Sequence, residues 1–363
     1  MQNQNPTPEK ENFKTFLDAD QPVLTPAEVE IVAHISNHVI IDARLEGGIK
    51  LIQQVLAENA ALSEPRHAIL TGEAGCGKTT LQDILKSQMP EEEDEFRLGM
   101  RRKVPALMMS MPTNITPRSM AQQALRALGD TSNLNGTCSE LTERLCRTIP
   151  QSGVKLFWQD EFQDLYALGR DRQKIQPGRL RASRSWVKHV INRTHVSVLI
   201  TGTPEARELI KGDDQLERRF PHFYSLDPFG IPSAGNTGMV DFVNDLLMDA
   251  VNSLPHFSSA ELLVNGGSDA ERVYSVTLGV PSRLKDLVIR AALCAHRRES
   301  KRIEMCDFTA GFEQRHRALL IHLAGEQRRA TRKQFFEALD GRAINPFVAS
   351  DDEVHQLIMK MAA

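Results

Sequence analysis

One octapeptide constrains this 363-residue chain more than any other feature: Gly72-Glu73-Ala74-Gly75-Cys76-Gly77-Lys78-Thr79 fits the pattern G-x-x-x-x-G-K-[ST]. It follows a short apolar run, His67-Ala68-Ile69-Leu70-Thr71, and opens a helix-like stretch, Thr79–Met89. That strand–loop–helix context is what the motif requires. Glycines let the backbone curl until its N–H groups face phosphate oxygens, and the helix start adds partial positive charge. Lys78 is expected to neutralise the β- and γ-phosphates of ATP, and the Thr79 hydroxyl to bind Mg²⁺. Thr80, in the same turn, completes the expected nucleotide-binding set. The alternative, a chance match, is weakened by the flanking strand and helix signals.

Two further strand ends carry polar residues. Leu156-Phe157-Trp158-Gln159-Asp160-Glu161 is an apolar run ending in two acids. Asp160 is expected to hold Mg²⁺ through water, and Glu161 to polarise an attacking water. Gln159 departs from the pattern, because that position is usually apolar. Val196-Ser197-Val198-Leu199-Ile200-Thr201-Gly202-Thr203-Pro204 is a second such run. Thr203 is the first choice for orienting water against the γ-phosphate, with Thr201 the second. The competing reading is a strand that simply runs into the N-cap of the next helix.

Apolar runs alternate with helical patterns over the first two thirds of the chain. Strands are expected at Ala68–Thr71, Val104–Ser110, Val154–Trp158 and Val196–Thr201, with a weaker one at Phe223–Leu226. Helices are expected between them at Thr79–Met89, Pro117–Leu128, Ser139–Thr148, Arg179–Asn192 and Glu205–Lys211. This alternation predicts an α/β fold with a parallel sheet flanked by helices. After a Pro/Gly break at Pro228–Gly238 no convincing strand follows, and Val240–Val251, Ser282–Arg297 and Asp307–Leu323 read as amphipathic helices of a small α-helical lid. The expected division is an extension over 1–39, a nucleotide-binding domain over 40–230, a lid over 231–325 and a tail over 326–363. The acidic run Glu91–Glu95 is expected in a solvated loop, since like charges resist packing.

Composition narrows the class. Hydrophobic residues are 41% and charged residues 25%, so the chain is neither disordered nor collagen-like, and no apolar run nears the ~18 residues of a membrane span. Met1–Lys14 is polar and does not read as a secretory signal. Five cysteines without a Cys-x-x-Cys pair suggest reduced thiols and a cytoplasmic protein. A net charge of -3 excludes a globally basic nucleic-acid binder while leaving room for a local basic surface.

Taken in order, the phosphate loop, the Asp-Glu strand and the polar strand tip resemble an AAA+ P-loop ATPase. Gln215-Leu216-Glu217-Arg218-Arg219-Phe220 is similar to the box carrying that family's arginine finger, which enters a neighbouring subunit's site; the pattern leaves open whether Arg218 or Arg219 is the finger. Gly279-Val280-Pro281-Ser282-Arg283 resembles the sensor-2 motif, which implies Arg283 at the γ-phosphate. Arginine suits both roles because it stays charged and donates in a fixed fork. Within AAA+ proteins, Asp42–Glu46 before the loop, Met109–Thr113 with Thr116-Pro117, Leu199–Ala206, Leu216–Phe220 and Ile344–Phe347 resemble the TniB/TnsC-type transposition regulators. That resemblance covers roughly 40–347. It implies ATP-bound subunits forming rings or filaments around double-stranded DNA, recruitment of a transposase, a target-selecting adaptor of the TniQ type, and reset by hydrolysis to ADP and phosphate.

The residues offer their own DNA candidates. Arg170, Arg172, Lys174, Arg179, Arg181, Arg184, Lys188 and Arg193 face a single acid, Asp171, in that stretch. Arg181, Arg184 and Lys188 are spaced three and four apart and share a helix face. Asn114, Thr116 and Arg118, after the second strand, form another set suited to backbone contacts. Solvated helix surface and an ordinary helix cap are the alternatives. The basic stretch Arg315–Lys333 is a solvated helix face or an additional DNA or partner surface, and the tail residues Val354, Leu357, Ile358 and Met361, at helical spacing, dock onto a transposase or pack on their own lid. Competing functions are a helicase loader or initiator-like AAA+ protein, a small-molecule kinase, and a scaffold that holds ATP without turnover. A kinase has no use for a finger box and a distal lid arginine, and a scaffold has none for Glu161.

Overall fold

A computed structural model of the chain describes residues 24–362 apart from 97–98, 113, 131, 133, 166–176, 209, 212 and 315–345. The chain divides into two compact units: 39–231 with 277–283, and 1–38 with 232–276 and 284–363.

The first unit is built on a five-stranded parallel sheet. Its strands are β1 (Ala68–Thr71), β4 (Ala106–Ser110), β5 (Leu156–Asp160), β6 (Ser197–Gly202) and β7 (His222–Ser225), in the order β4-β5-β6-β1-β7. Every neighbouring pair runs parallel. Side chains alternate between the two faces, as the pleat demands. Ile69, Leu107, Met109, Phe157, Val198 and Ile200 join the core on one face. Ala68, Leu70, Leu156, Trp158 and Leu199 join the core on the other. Both faces are buried, which is why these strands read as continuous apolar runs. Helices Pro117–Ala127, Cys138–Gln151 and Pro177–Thr194 supply the first core, and Ala43–Ala61 with Lys78–Gln88 the second.

The acidic run differs from its expectation. Glu92–Phe96 is a strand, β2, paired antiparallel with β3, Gly99–Lys103. The register sets Glu92 against Lys103, Glu93 against Arg102 and Asp94 against Arg101. Glu92 and Glu93 thus lie opposite basic residues, which offsets the repulsion that pointed to a loop. Glu91 also pairs with Arg102.

In the helical unit, Pro26–Asn37 begins with a Thr25/Glu28 capping box. Glu28 also accepts from Arg297 at 2.6 Å. The Thr25 backbone N–H, then Arg297, hold the Glu28 carboxyl down from 4.5 to about 2. Helices Gly238–Ser253 and Ser268–Thr277 bury Phe242, Val243, Leu246, Leu247 and Val273. The C-terminal helix Asp351–Ala362 packs within this unit through buried Val354 and Ile358, and Arg272 ties its start by bonds to Ala349 O and Asp351. Ser259–Ala260 and Arg302–Ile303 form a short parallel pair that the sequence did not announce. The five cysteines are free thiols, and no helix among the described residues is long and apolar enough to cross a membrane.

Candidate nucleotide site

The phosphate-loop motif leaves the C-terminal end of β1, which lies between β6 and β7. Open parallel sheets bind ligands outside the carboxyl ends of their strands. The Gly72 N–H donates to Gly202 O at 3.0 Å, fixing where the loop departs. Gly75 and Gly77 take φ of 84° and 108°, a left-handed region that L side chains enter at a cost. Gly77 stands at the N-cap of helix Lys78–Gln88, and among the described residues no side chain caps that end. The first-turn N–H groups are therefore left for an anion, and the loop fits a bound phosphate on that ground. Lys78 Nζ donates to the carbonyls of Gly72 and Glu73, the latter at 3.0 Å, so its charge sits inside the loop. Glu73, Ala74 and Thr79 are exposed, Thr80 is half-buried, and Cys76 is buried, which pushes its thiol up.

The tips of β6 and, one strand further, β5 lie on one side of the loop. Asp160 Oδ1 accepts from the Glu161 N–H at 2.9 Å and from Thr201 Oγ1 at 2.6 Å. Thr201 Oγ1 in turn accepts from Trp158 Nε1 at 2.8 Å. Both contacts to Asp160 fall on one oxygen; Oδ2 takes no hydrogen bond among the described residues. The exposed Thr79 hydroxyl and Asp160 Oδ2 are hard oxygen donors of the kind Mg²⁺ prefers. Glu161 has φ of 56°, unusual for a side-chain-bearing residue, and Gln163 Nε2 donates to its Oε2. Gln163 Oε1 accepts the Thr203 N–H at 3.1 Å. The Thr203 hydroxyl bonds Glu205 and holds that carboxyl down, while Thr203 O accepts from the Ala206 N–H at the next helix. Asp164 is a third acid here; burial, then the charges of Glu161 and Asp160, push its carboxyl up.

The residues of the sensor-2 pattern come to the loop. Ser282 N–H donates to Gly75 O at 3.2 Å, and a Cβ on Gly75 would collide with Ser282 Oγ. Arg283 is exposed in the first turn of helix Pro281–Arg297, beside that contact. Arg44 is a site residue that the sequence offered only as part of a family pattern. Its guanidinium pairs with Asp42 at 2.6 Å, lies 3.9 Å over the Phe229 ring, and donates to Asp227 O at 3.0 Å and Cys76 O at 3.5 Å. Asp42 also caps helix Ala43–Ala61. Gln163 carries no local sequence signal beyond an amide two residues after the Asp-Glu pair.

Arg218 and Arg219 are placed elsewhere. Arg219 O accepts from the His67 N–H at 3.1 Å, at the opening of β1, so both arginines lie at the end of the sheet opposite the loop. A four-residue strand separates the two ends by about 13 Å. The arginines line a recess of about 900 Å³ with Arg66, Lys188, His189 and Asn192. Arg219 donates to Asn192, and Arg218 is exposed.

The DNA candidates fall in two places. Thr116 caps helix Pro117–Ala127 with Ser119 at 3.1 Å, Arg118 donates to Asn135 O at 3.2 Å, and Asn114 is exposed with its carbonyl accepting from Ser119 Oγ. On helix Pro177–Thr194, Arg181 is exposed, Arg184 donates to Lys211 O, and Lys188 pairs with Asp213 at 2.8 Å. Arg179 lies in the helix, but its side chain falls outside the described residues, as do Arg170, Arg172, Lys174 and Arg315–Lys333.

The model of the family described as "Bacterial TniB protein" matches residues 33–228. No curated protein matches the chain. Among solved structures, the Aeropyrum pernix ORC1 protein in complex with DNA is 16% identical, with a TM-score of 0.51 over 92% of this chain and 86% of that one. The Aeropyrum pernix ORC2 protein, solved as ADPNP–ADP complexes, is 13% identical, with a TM-score of 0.50 over 77% and 70%. At such identities the likeness shows the fold alone, a parallel α/β sheet flanked by helices.

Proposed function

This chain belongs to the TniB family, and from that premise we propose that it is an ATP-hydrolysing homo-oligomer that binds double-stranded DNA and regulates transposition. In this reading the ATP-bound assembly recruits and activates a transposase at a site chosen with an adaptor of the TniQ type. Hydrolysis to ADP and phosphate then resets it.

One observation carries the catalytic and oligomeric parts. The phosphate loop and the Asp160–Glu161 tip lie at one end of the sheet, while Arg218 and Arg219 lie at the other. A subunit cannot bring its own arginines to its own nucleotide, so they serve a neighbour's. The loop N–H groups and Lys78 would hold the β- and γ-phosphates, with Arg283 reaching the γ-phosphate from the lid helix. Thr79 and Asp160 would hold Mg²⁺, which when bound neutralises charge on the phosphate oxygens. Glu161 would accept a proton from the attacking water, with the Thr201 and Thr203 strand tip beside it. Arg181, Arg184, Lys188 and Arg179, together with Asn114, Thr116 and Arg118, are the proposed DNA-facing groups, binding phosphates without reading sequence. A second reading, a loader- or initiator-like DNA protein, draws on the fold shared with ORC1.

Subunit mixing tests the proposal. Glu161→Gln supplies arginines but cannot hydrolyse; Arg218→Ala/Arg219→Ala can bind ATP but lacks the finger. Each alone should turn over ATP slowly, and the mixture on DNA should recover activity. No recovery, or full turnover by either variant alone, refutes the shared site.

A further inference from the structure

Gln163 reaches both strand tips. It sits in the short 3-10 turn Phe162–Leu165, whose first residue is fully buried against the sheet core, so the backbone under Gln163 is anchored. Its amide nitrogen donates to Glu161 and its amide oxygen accepts the Thr203 N–H. The two partners admit a single orientation. A flipped amide would set oxygen against a carboxylate and N–H against N–H. Gly202 makes the approach possible, because a Cβ there would run into Gln163 Oε1 and lie 3.0 Å from Ala206 Cβ.

Glu161 needs such a hold. Asp160 precedes it and Asp164 lies close enough to feel its charge, so three carboxyl groups crowd this turn. A free glutamate side chain also loses rotamer freedom when placed.

We propose that Gln163 is a positioning residue for ATP hydrolysis: its amide clamps the Glu161 carboxylate to the tip of β6, the strand next to the one that launches the phosphate loop. The inference rests on the reading of Glu161 as the group that polarises water. Because the clamp touches neither the loop nor Lys78, it acts on turnover and not on ATP binding.

The test uses the full-length protein with DNA and measures kcat and KM for ATP, with ATP-analogue affinity as a check on the folded site. Gln163→Met keeps the side chain's length and volume and removes both hydrogen bonds. It is expected to lower kcat about tenfold, with KM within about twofold of the parent. Gly202→Ala displaces the same amide from the other strand and should lower kcat likewise, with the ATP-analogue affinity showing that the Gly202 O bond to the loop is kept. The double variant should be no slower than either single variant, since both break one contact. Parental kcat in Gln163→Met, a loss confined to KM, or multiplying losses in the double variant would overturn the clamp. Glu161→Gln separates the two levels. Normal turnover there removes the underlying reading, whereas a dead Glu161→Gln beside an unaffected Gln163→Met removes only the clamp.

Discussion

Gln159→Leu should make the α/β unit more stable. Gln159 is 1% exposed on β5, and among the described residues neither end of its amide has a hydrogen-bond partner. In register it lies between Met109 and Ile200, on the face that also carries Phe157. A buried polar group left unpaired costs about 1–3 kcal/mol, and leucine matches glutamine closely enough in volume to avoid a cavity. A gain of about 1–2 kcal/mol corresponds to roughly 2–8 °C in melting temperature for a unit near 200 residues. Thermal melts and urea titrations of the nucleotide-free protein measure it. Strand alternation points Gln159 away from the Asp160 side, so ATP turnover should survive the change. A loss of 1 kcal/mol or more would refute the reasoning and show that the amide is satisfied, for example by a buried water.

Other outcomes follow from the same structure. Lys78→Ala should abolish ATP binding by calorimetry, because the loop loses the charge that faces the phosphates; retained affinity contradicts its role. Burial, then the charges of Arg219 and Arg66, push His67 down from 6.5 to about 3, and its Nδ1 accepts the Val198 N–H. The folded state resists protonation there, so the unfolded state binds more protons between those values. Stability should fall as pH drops from 6.5 toward 3, by up to about 1.4 kcal/mol per unit, and His67→Phe should flatten that slope in pH-dependent denaturation. An unchanged slope contradicts the assignment.

The strands of the sheet were legible because each is a short apolar run bounded by helical patterns, as at Ala68–Thr71 and Ser197–Gly202. The β2–β3 hairpin was not, since its opposite charges come together only after pairing, as the Glu91–Arg102 ion pair does. Segment 277–283 belongs with the α/β unit through its backbone bonds to Phe229 and Gly75; the sensor-2 resemblance pointed Arg283 toward the nucleotide but not to these bonds. Within the site, the phosphate loop is a contiguous motif and could be read directly. The links among distant segments could not: Thr201 on Asp160, Gln163 between Glu161 and Thr203, and Arg44 on Cys76. Each joins residues whose meeting depends on strand order.

The central claim is that nucleotide drives assembly on DNA. Negative-stain microscopy of the purified protein with double-stranded DNA, with and without a slowly hydrolysed ATP analogue, tests it most directly. Rings or filaments on DNA should form with the analogue and be absent without it. A monomer that ignores DNA in both conditions would contradict the account.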